Sequence, residues 1–257
     1  MPNASPASTL CVSWSEGGPT FVTGSQAPNL SWLADGDGTN MVKVRSMLEK
    51  IKDILDPKRL PWYYLAIVVV AAVAVAVPSI RPALVYNRAA ISQGELWRIW
   101  TGHLVHFGWP HGLADGSLFV LIGWVLERSQ KRFSHLALLI QPVVVSAALY
   151  WFDPMMNIYG GLSGLNVGLL VFLACRGWHR DRLDWFWPAI LLIHVAEIFL
   201  EIRNQGTGGG AIRFDDSSIR VATVAHIGGV VFGVASWAIL AYGRKKAKEP
   251  AAPQEKL

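Results

Sequence analysis

Residues 160–175 read GGLSGLNVGLLVFLAC, a serine set among glycines at the head of an apolar run. Polar and apolar positions do not alternate along it, so it reads as a helix that is apolar all round and not as a half-buried strand. Five further windows of the same character flank it, at 62–80, 111–127, 133–152, 185–200 and 222–242. Each approaches the roughly 20 residues a helix needs to cross a hydrocarbon core about 30 Å thick. The run at 162–175 is the shortest of the six and is expected to take in Gly160 or Gly161. Of the 257 residues, 52% are hydrophobic and only 16% charged, which is outside the range of a soluble domain of this length. The expectation is an all-α, polytopic membrane protein, a six-transmembrane-helix bundle and not a barrel of short alternating strands.

Basic residues set the orientation. Lys43, Arg45, Lys50, Lys52, Lys58 and Arg59 precede the first window, Arg128, Lys131 and Arg132 follow the second, Arg176, Arg180 and Arg182 follow the fourth, and Arg244, Lys245, Lys246 and Lys248 follow the sixth. If six helices alternate, all these clusters share one side, which the positive-inside rule makes cytoplasmic, with both termini inside. The net charge of +5 then needs only anionic lipid headgroups as its partner, and no nucleic acid is implied.

Residues 1–40 are rich in Ser, Pro, Gly, Ala and Asn, carry no basic leader followed by an apolar core, and read as a disordered cytoplasmic tail. Residues 41–60 read as an amphipathic juxtamembrane segment, because Val44, Met47, Leu48, Ile51, Ile54 and Leu55 recur at helical spacing between lysines. The helical domain is expected over 61–243 and a basic cytoplasmic tail over 244–257. Cys11 and Cys175 would both lie on the reducing side, so no disulfide is expected.

Within the apolar windows a few polar groups stand out. Ser163 enters the fourth helix, His226 lies about one turn into the sixth, and His111 and Asp115 begin the second. In an alternating topology all four share a depth near the outer face. Ionisable groups inside a membrane are costly and point to function. A serine alone in such a helix is usually bonded to the carbonyl one turn back. A serine and a histidine on separate spans are the pieces of a nucleophile and its base. Gly160, Gly164 and Gly168 repeat at fours on the fourth window, and Gly229 and Gly233 on the sixth, so two small-residue stripes are available to bring those helices together. His194 and Glu197 share a face of the fifth helix, with Glu201 near its outer end, and read as a buried pair or as lining of a substrate entrance. No His-Glu-x-x-His occurs, so neither a metal nor any other cofactor is expected.

These residues resemble a family. Glu95-Leu96-Trp97-Arg98-Ile99-Trp100-Thr101 with His106, His111 and position 115, then Gly161-Leu162-Ser163-Gly164, then Ala225-His226-Ile227-Gly228, are similar in order and topology to the motif blocks of rhomboid intramembrane serine proteases. Gly102-His103, Val105-His106 and the six-helix core resemble the rhombosortase branch. The resemblance implies Ser163 as nucleophile and His226 as general base in a dyad without a third acid. It implies His111 and the Ser163 backbone N–H as oxyanion donors, supported by Gly161. Asp115 stands where such proteins have Asn, and an ionised carboxylate cannot donate to an oxyanion. Burial either keeps Asp115 protonated, or it orients His111, or fewer donors serve. Val221 stands where the family commonly has Gly.

The implied activity is cleavage of transmembrane or juxtamembrane segments of membrane-anchored proteins at the bacterial inner membrane, with the site towards the periplasm. For the rhombosortase branch, the implied substrates are exported proteins with a Gly-rich C-terminal sorting tail. A catalytically impaired relative acting as a membrane protein-binding or quality-control factor is the alternative that Asp115 allows. A transporter using His194 and Glu197 would call for inverted repeats, and none is visible.

Overall fold

The structure is a computed structural model and describes residues 11–15, 18–22, 44–49, 52, 56–204 and 222–246. The chain divides into two units, Met1–Asp56 and Pro57–Leu257. In the first, β1 (Cys11–Ser15) pairs antiparallel with β2 (Gly18–Val22), Ser15 standing opposite Gly18. The expectation of a disordered tail over 1–40 placed no strand at that point. Val12, Trp14, Thr20, Phe21 and Val22 are strand formers, and the two residues between the strands are the commonest hairpin spacing. A helix covers 44–49, within the expected amphipathic segment, and exposes Val44, Met47 and Leu48.

All six apolar windows of the second unit are helical: α1 (Trp62–Ala76), α2 (Trp109–Ser129), α3 (Lys131–Phe152), α4 (Ser163–Arg180), α5 (Phe186–Arg203) and α6 (Thr223–Lys246). Two of the bounds that differ from expectation have a plain local cause. Pro78 has no N–H and constrains Val77, so α1 ends at Ala76 and the helical segment Pro78–Leu84 leaves at 102° to it. Arg81 then folds back, donating to the carbonyls of Ala74 at 2.9 Å and Val75 at 2.7 Å, which the last turn leaves unpaired. At the other bound, α4 starts at Ser163 and includes neither Gly160 nor Gly161. Gly161 has φ +138, which no helix accommodates.

Helix α3 and the Thr223–Gly243 part of α6 are long and apolar enough to cross a membrane, and α1 with Pro78–Leu84 is a third candidate if the bent pair is one span. The other long helices carry more polar side chains: His111, Asp115, Glu127 and Arg128 in α2, Asn166, Arg176 and Arg180 in α4, Glu197, Glu201 and Arg203 in α5. Several of these turn inward. The outer surface of the bundle is apolar instead, with Val69, Leu121, Leu139, Ile193, Val231 and Ile239 exposed. An apolar surface of that extent belongs against lipid, as in a membrane protein.

Helix α4 is the centre of the bundle, burying Leu165, Val167, Leu169, Val171, Phe172, Leu173 and Ala174. Its most extensive partner is α6, and glycines make the contact. A Cβ at Gly229 would lie 2.2 Å from the Gly164 carbonyl oxygen, and one at Gly233 2.4 Å from that of Gly168. The expected stripes therefore meet, with one change: Gly160 precedes the helix, and a Cβ there would strike the Val105 carbonyl at 2.6 Å. From α3, the buried Gln141 donates to the carbonyls of Gly164 at 3.2 Å and Leu165 at 2.9 Å, bracing the same turn.

The segment between α1 and α2 is held by a buried arginine. Arg98 pairs with Glu95 at 2.6 Å and donates to the carbonyls of Pro82 and Val85, each at 2.8 Å. A short ladder, β3 (Tyr86–Asn87) with β4 (Ile158–Tyr159), ties this segment to the chain just ahead of α4. Here too the packing needs a glycine, since a Cβ at Gly102 would lie 2.7 Å from the Cβ of Tyr86.

Candidate active site

The chain reaches Ser163 through a tight approach. Tyr159 ends β4 and its hydroxyl donates to the Gly161 carbonyl at 2.9 Å. The same hydroxyl is in hydrogen-bond contact with the side chain of Ser163. Burial, reinforced by the nearby Asp115 charge, pushes the Tyr159 phenol pKa above its ordinary value, so it stays a neutral donor. At Gly161 only glycine fits on two counts: φ is +138, and a Cβ would lie 3.2 Å from Cε1 of His111 and 3.5 Å from Oδ2 of Asp115. The expected support residues Gly161, His111 and Asp115 are thus one contact.

Asp115 is the focus of that contact. Its Oδ2 accepts the backbone N–H of Leu162 at 3.1 Å and lies 3.1 Å from Nε2 of His106 and 3.2 Å from Nε2 of His111. One oxygen ringed by three nitrogens, one of them an obligate donor, is the setting of an ionised carboxylate. Asn166, one turn into α4, donates to the Asp115 backbone carbonyl at 3.0 Å and locks α2 to α4 at this level. Of the alternatives for Asp115, the geometry favours the one in which it orients His111. His106, which the sequence offered only as part of a motif, is fully buried and completes the cluster. The ligand atoms of His106, His111 and Asp115 lie within 4.8 Å of one another and could hold a divalent cation. The hydrogen bonds already satisfy the carboxylate, so the cluster is complete as a polar anchor.

Ser163 is the first residue of α4, and no side chain caps that end. First-turn N–H groups have no partner inside a helix and carry the positive end of its dipole, so a negative oxygen beside Ser163 would meet donors. Ser163 is half-buried, so it is accessible from the outer end of the bundle's core. Across from it, Gly164 packs on the main chain of Ala225, whose carbonyl oxygen would be 3.0 Å from a Cβ at Gly164. The neighbours of Ser163 and His226 therefore touch, so both residues adjoin the same point of the α4–α6 contact.

His226 is buried, and its Nδ1 lies 2.9 Å from Oε1 and 3.0 Å from Oε2 of Glu201 at the end of α5. With Nδ1 engaged, Nε2 is the nitrogen left for proton transfer. The sequence reading noted Glu201 only as a residue near the outer end of α5 and assigned no acid to His226. No spacing rule links residues on different helices, so only the depth of Glu201 in the span pointed to it. Of the two expectations for His194 and Glu197, a buried pair or the lining of a substrate entrance, burial is incomplete for both. His194 Nδ1 lies 2.8 Å from the Ile190 carbonyl on its own helix, and both residues are only half-buried. Val221 lies outside the described residues.

Comparison with known proteins shows the family. Residues 93–243, more than half of the chain, match the family model for the Rhomboid domain. Over 151 residues the chain is 29% identical to Rhomboid-related protein 1 of Caenorhabditis elegans, covering 55% of this chain and 39% of that relative. The chain thus spans well under half the length of that protein. The matched region begins ahead of Glu95 and ends near the close of α6, so it contains every residue of the site described above.

Proposed function

The chain belongs to the rhomboid family of intramembrane proteases, and from that membership we propose an active serine endopeptidase in which Ser163 is the nucleophile and His226 the general base. The observation that carries the reading is the glycine-mediated contact of α4 with α6, which sets Gly164 on Ala225 and so brings the Gly161-Leu162-Ser163-Gly164 turn to the Ala225-His226 turn.

In acylation the Ser163 Oγ attacks the scissile carbonyl carbon while its proton passes to Nε2 of His226. The resulting oxyanion is met by the Ser163 N–H and by His111, which Asp115 holds in place. His226 returns the proton to the departing amine as the C–N bond breaks, leaving an ester on Ser163. A water then adds to that ester, giving its proton to His226, and the carboxylic acid leaves with Oγ reprotonated. Six helices would span the bacterial inner membrane with both termini in the cytoplasm and the site towards the periplasm. Substrates would be single membrane anchors, including Gly-rich C-terminal sorting tails of exported proteins.

A second reading, a catalytically impaired protein-binding factor, draws on one observation. The Asp115 oxygen already faces the His111 nitrogen that an oxyanion would use. Reaction with a fluorophosphonate decides between them. Wild-type protein in proteoliposomes is expected to label and to cleave a helix-destabilised anchor, and Ser163→Ala and His226→Ala to do neither while remaining folded. Cleavage surviving in Ser163→Ala would end the serine mechanism, and an unlabelled, inert wild type would leave the binding factor.

A further inference from the structure

Helix α5 buries one residue, and that residue is a glutamate: Glu201. Its side chain is 5% exposed, and both carboxylate oxygens close on Nδ1 of His226, whose own side chain is 8% exposed. A carboxylate taken out of water is strongly unfavourable without a partner. Arg203, the basic residue nearest on the same helix, is two positions on and so faces another direction. Among the described residues, the imidazole is the partner the fold supplies.

We propose that Glu201 is the positioning residue of His226, so that this chain works with a Ser163-His226-Glu201 triad. The inference rests on the reading of Ser163 and His226 as nucleophile and base. A carboxylate on Nδ1 accepts that nitrogen's proton and so selects one tautomer, leaving the lone pair on Nε2, where the serine proton must go. It also holds the ring against rotation and lies beside the imidazolium when that forms. A tie between helices would need only one oxygen on any donor of α6. Here both oxygens address the single nitrogen whose protonation state sets the basicity of the other.

The test is steady-state cleavage in proteoliposomes by Glu201→Gln, Glu201→Ala and Glu201→Asp, with fluorophosphonate labelling rates measured on the same preparations. Glu201→Gln and Glu201→Ala are expected to lower kcat by about a hundredfold or more with KM within about threefold, labelling of Ser163 slowing in step. Glu201→Asp should recover at least about tenfold over the alanine variant. A smaller loss in both variants, or a loss carried by KM alone, overturns the proposal. If instead Ser163→Ala still cleaves, it is the underlying serine reading that fails. Should the Glu201 variants not fold, 15N-histidine spectra of the wild type still decide. The resonance that disappears in His226→Asn must report a proton on Nδ1, and a neutral ring protonated on Nε2 would overturn the assignment.

Discussion

The backbone N–H of Leu162 donates to the Oδ2 of Asp115 across 3.1 Å, so the residue immediately before Ser163 is fastened to a carboxylate 47 positions earlier in the chain. The same oxygen faces the rings of His106 and His111. The turn that presents the serine and the ring expected to serve its oxyanion are therefore set by one charge.

Substitution at Asp115 separates charge from hydrogen bonding. Asp115→Ala leaves the Leu162 N–H only its longer 3.4 Å contact to Nε2 of His106 and removes the carboxylate from the His111 ring, and a buried donor left unsatisfied costs about 1–3 kcal/mol, so a loss of that order is expected in thermal unfolding in detergent. Asp115→Asn keeps an acceptor and should fold, but with the charge gone its activity is expected to fall by about tenfold, less than the about 10²-fold to 10³-fold for removing an oxyanion donor outright. Because Asp115 acts through His111, adding Asp115→Asn to His111→Ala should cost little further. Full activity in Asp115→Asn, extended to higher pH, would mean the native carboxyl is neutral and donates.

The helix contact can be graded by adding single methyl groups. Gly229→Ala forces a Cβ to 2.2 Å from a backbone oxygen that cannot swing aside, whereas Gly243→Ala meets nothing within 4 Å. Overpacking costs about 1–3 kcal/mol, so Gly229→Ala should lower the unfolding temperature clearly and cleavage with it. Gly243→Ala should stay within about 0.5 kcal/mol of wild type or gain slightly from helix propensity. Equal behaviour of the two would refute the close α4–α6 approach.

Sidedness is open to thiol chemistry. Cysteines placed within 204–212 are expected to react with an impermeant reagent from the periplasmic side, and those at 129 or 180 only after the membrane is opened. Reactivity with the sides exchanged would turn the molecule over and put Ser163 near the cytoplasm.

Acid should loosen the first loop through His103. This ring is fully buried with Nε2 3.1 Å from the Ser146 hydroxyl and 3.3 Å from the Pro142 carbonyl, and burial pushes its pKa down to about 4 from 6.5. The unfolded chain therefore binds the proton more readily than the folded one. The stability contributed by the neutral ring is complete above pH 6.5, is lost as pH falls towards 4, and amounts to about 3 kcal/mol over that window. Unfolding temperatures of wild type should drop between pH 7 and 4.5, and those of His103→Gln should drop less. Parallel curves would assign the acid sensitivity elsewhere.

Much of this was readable in advance, for reasons that differ by residue. Helical windows announce themselves through length and apolar content, so all six were placed within a few residues. The misplaced ends are local chemistry: Pro78 stops α1 and the positive φ of Gly161 delays α4. The glycines at 164, 168, 229 and 233 were legible because helix periodicity converts spacing into a face. The partners Glu201 and Gln141 were not, because each acts across helices at separations that no periodicity encodes, and Tyr159 was not because it acts from a short loop strand on the turn just after it. Gln141 in particular is a lone amide beside Pro142 in an apolar run, visible as an oddity but without direction. The hairpin at 11–22 escaped notice because a composition rich in Ser, Gly and Pro was weighed over the strand formers within it.

The meeting of α4 with α6 bears on when the protein becomes dangerous to its surroundings. Helices are made and inserted from the N-terminus onward, and Ser163 arrives two long helices before His226 and one before Glu201 is complete. Until α6 seats its glycines on Gly164 and Gly168, the serine lacks both its proposed base and the wall that shapes its turn. On the proposed reading, a chain in which α6 has not yet docked is inert, and the seating of that helix acts as the arming step.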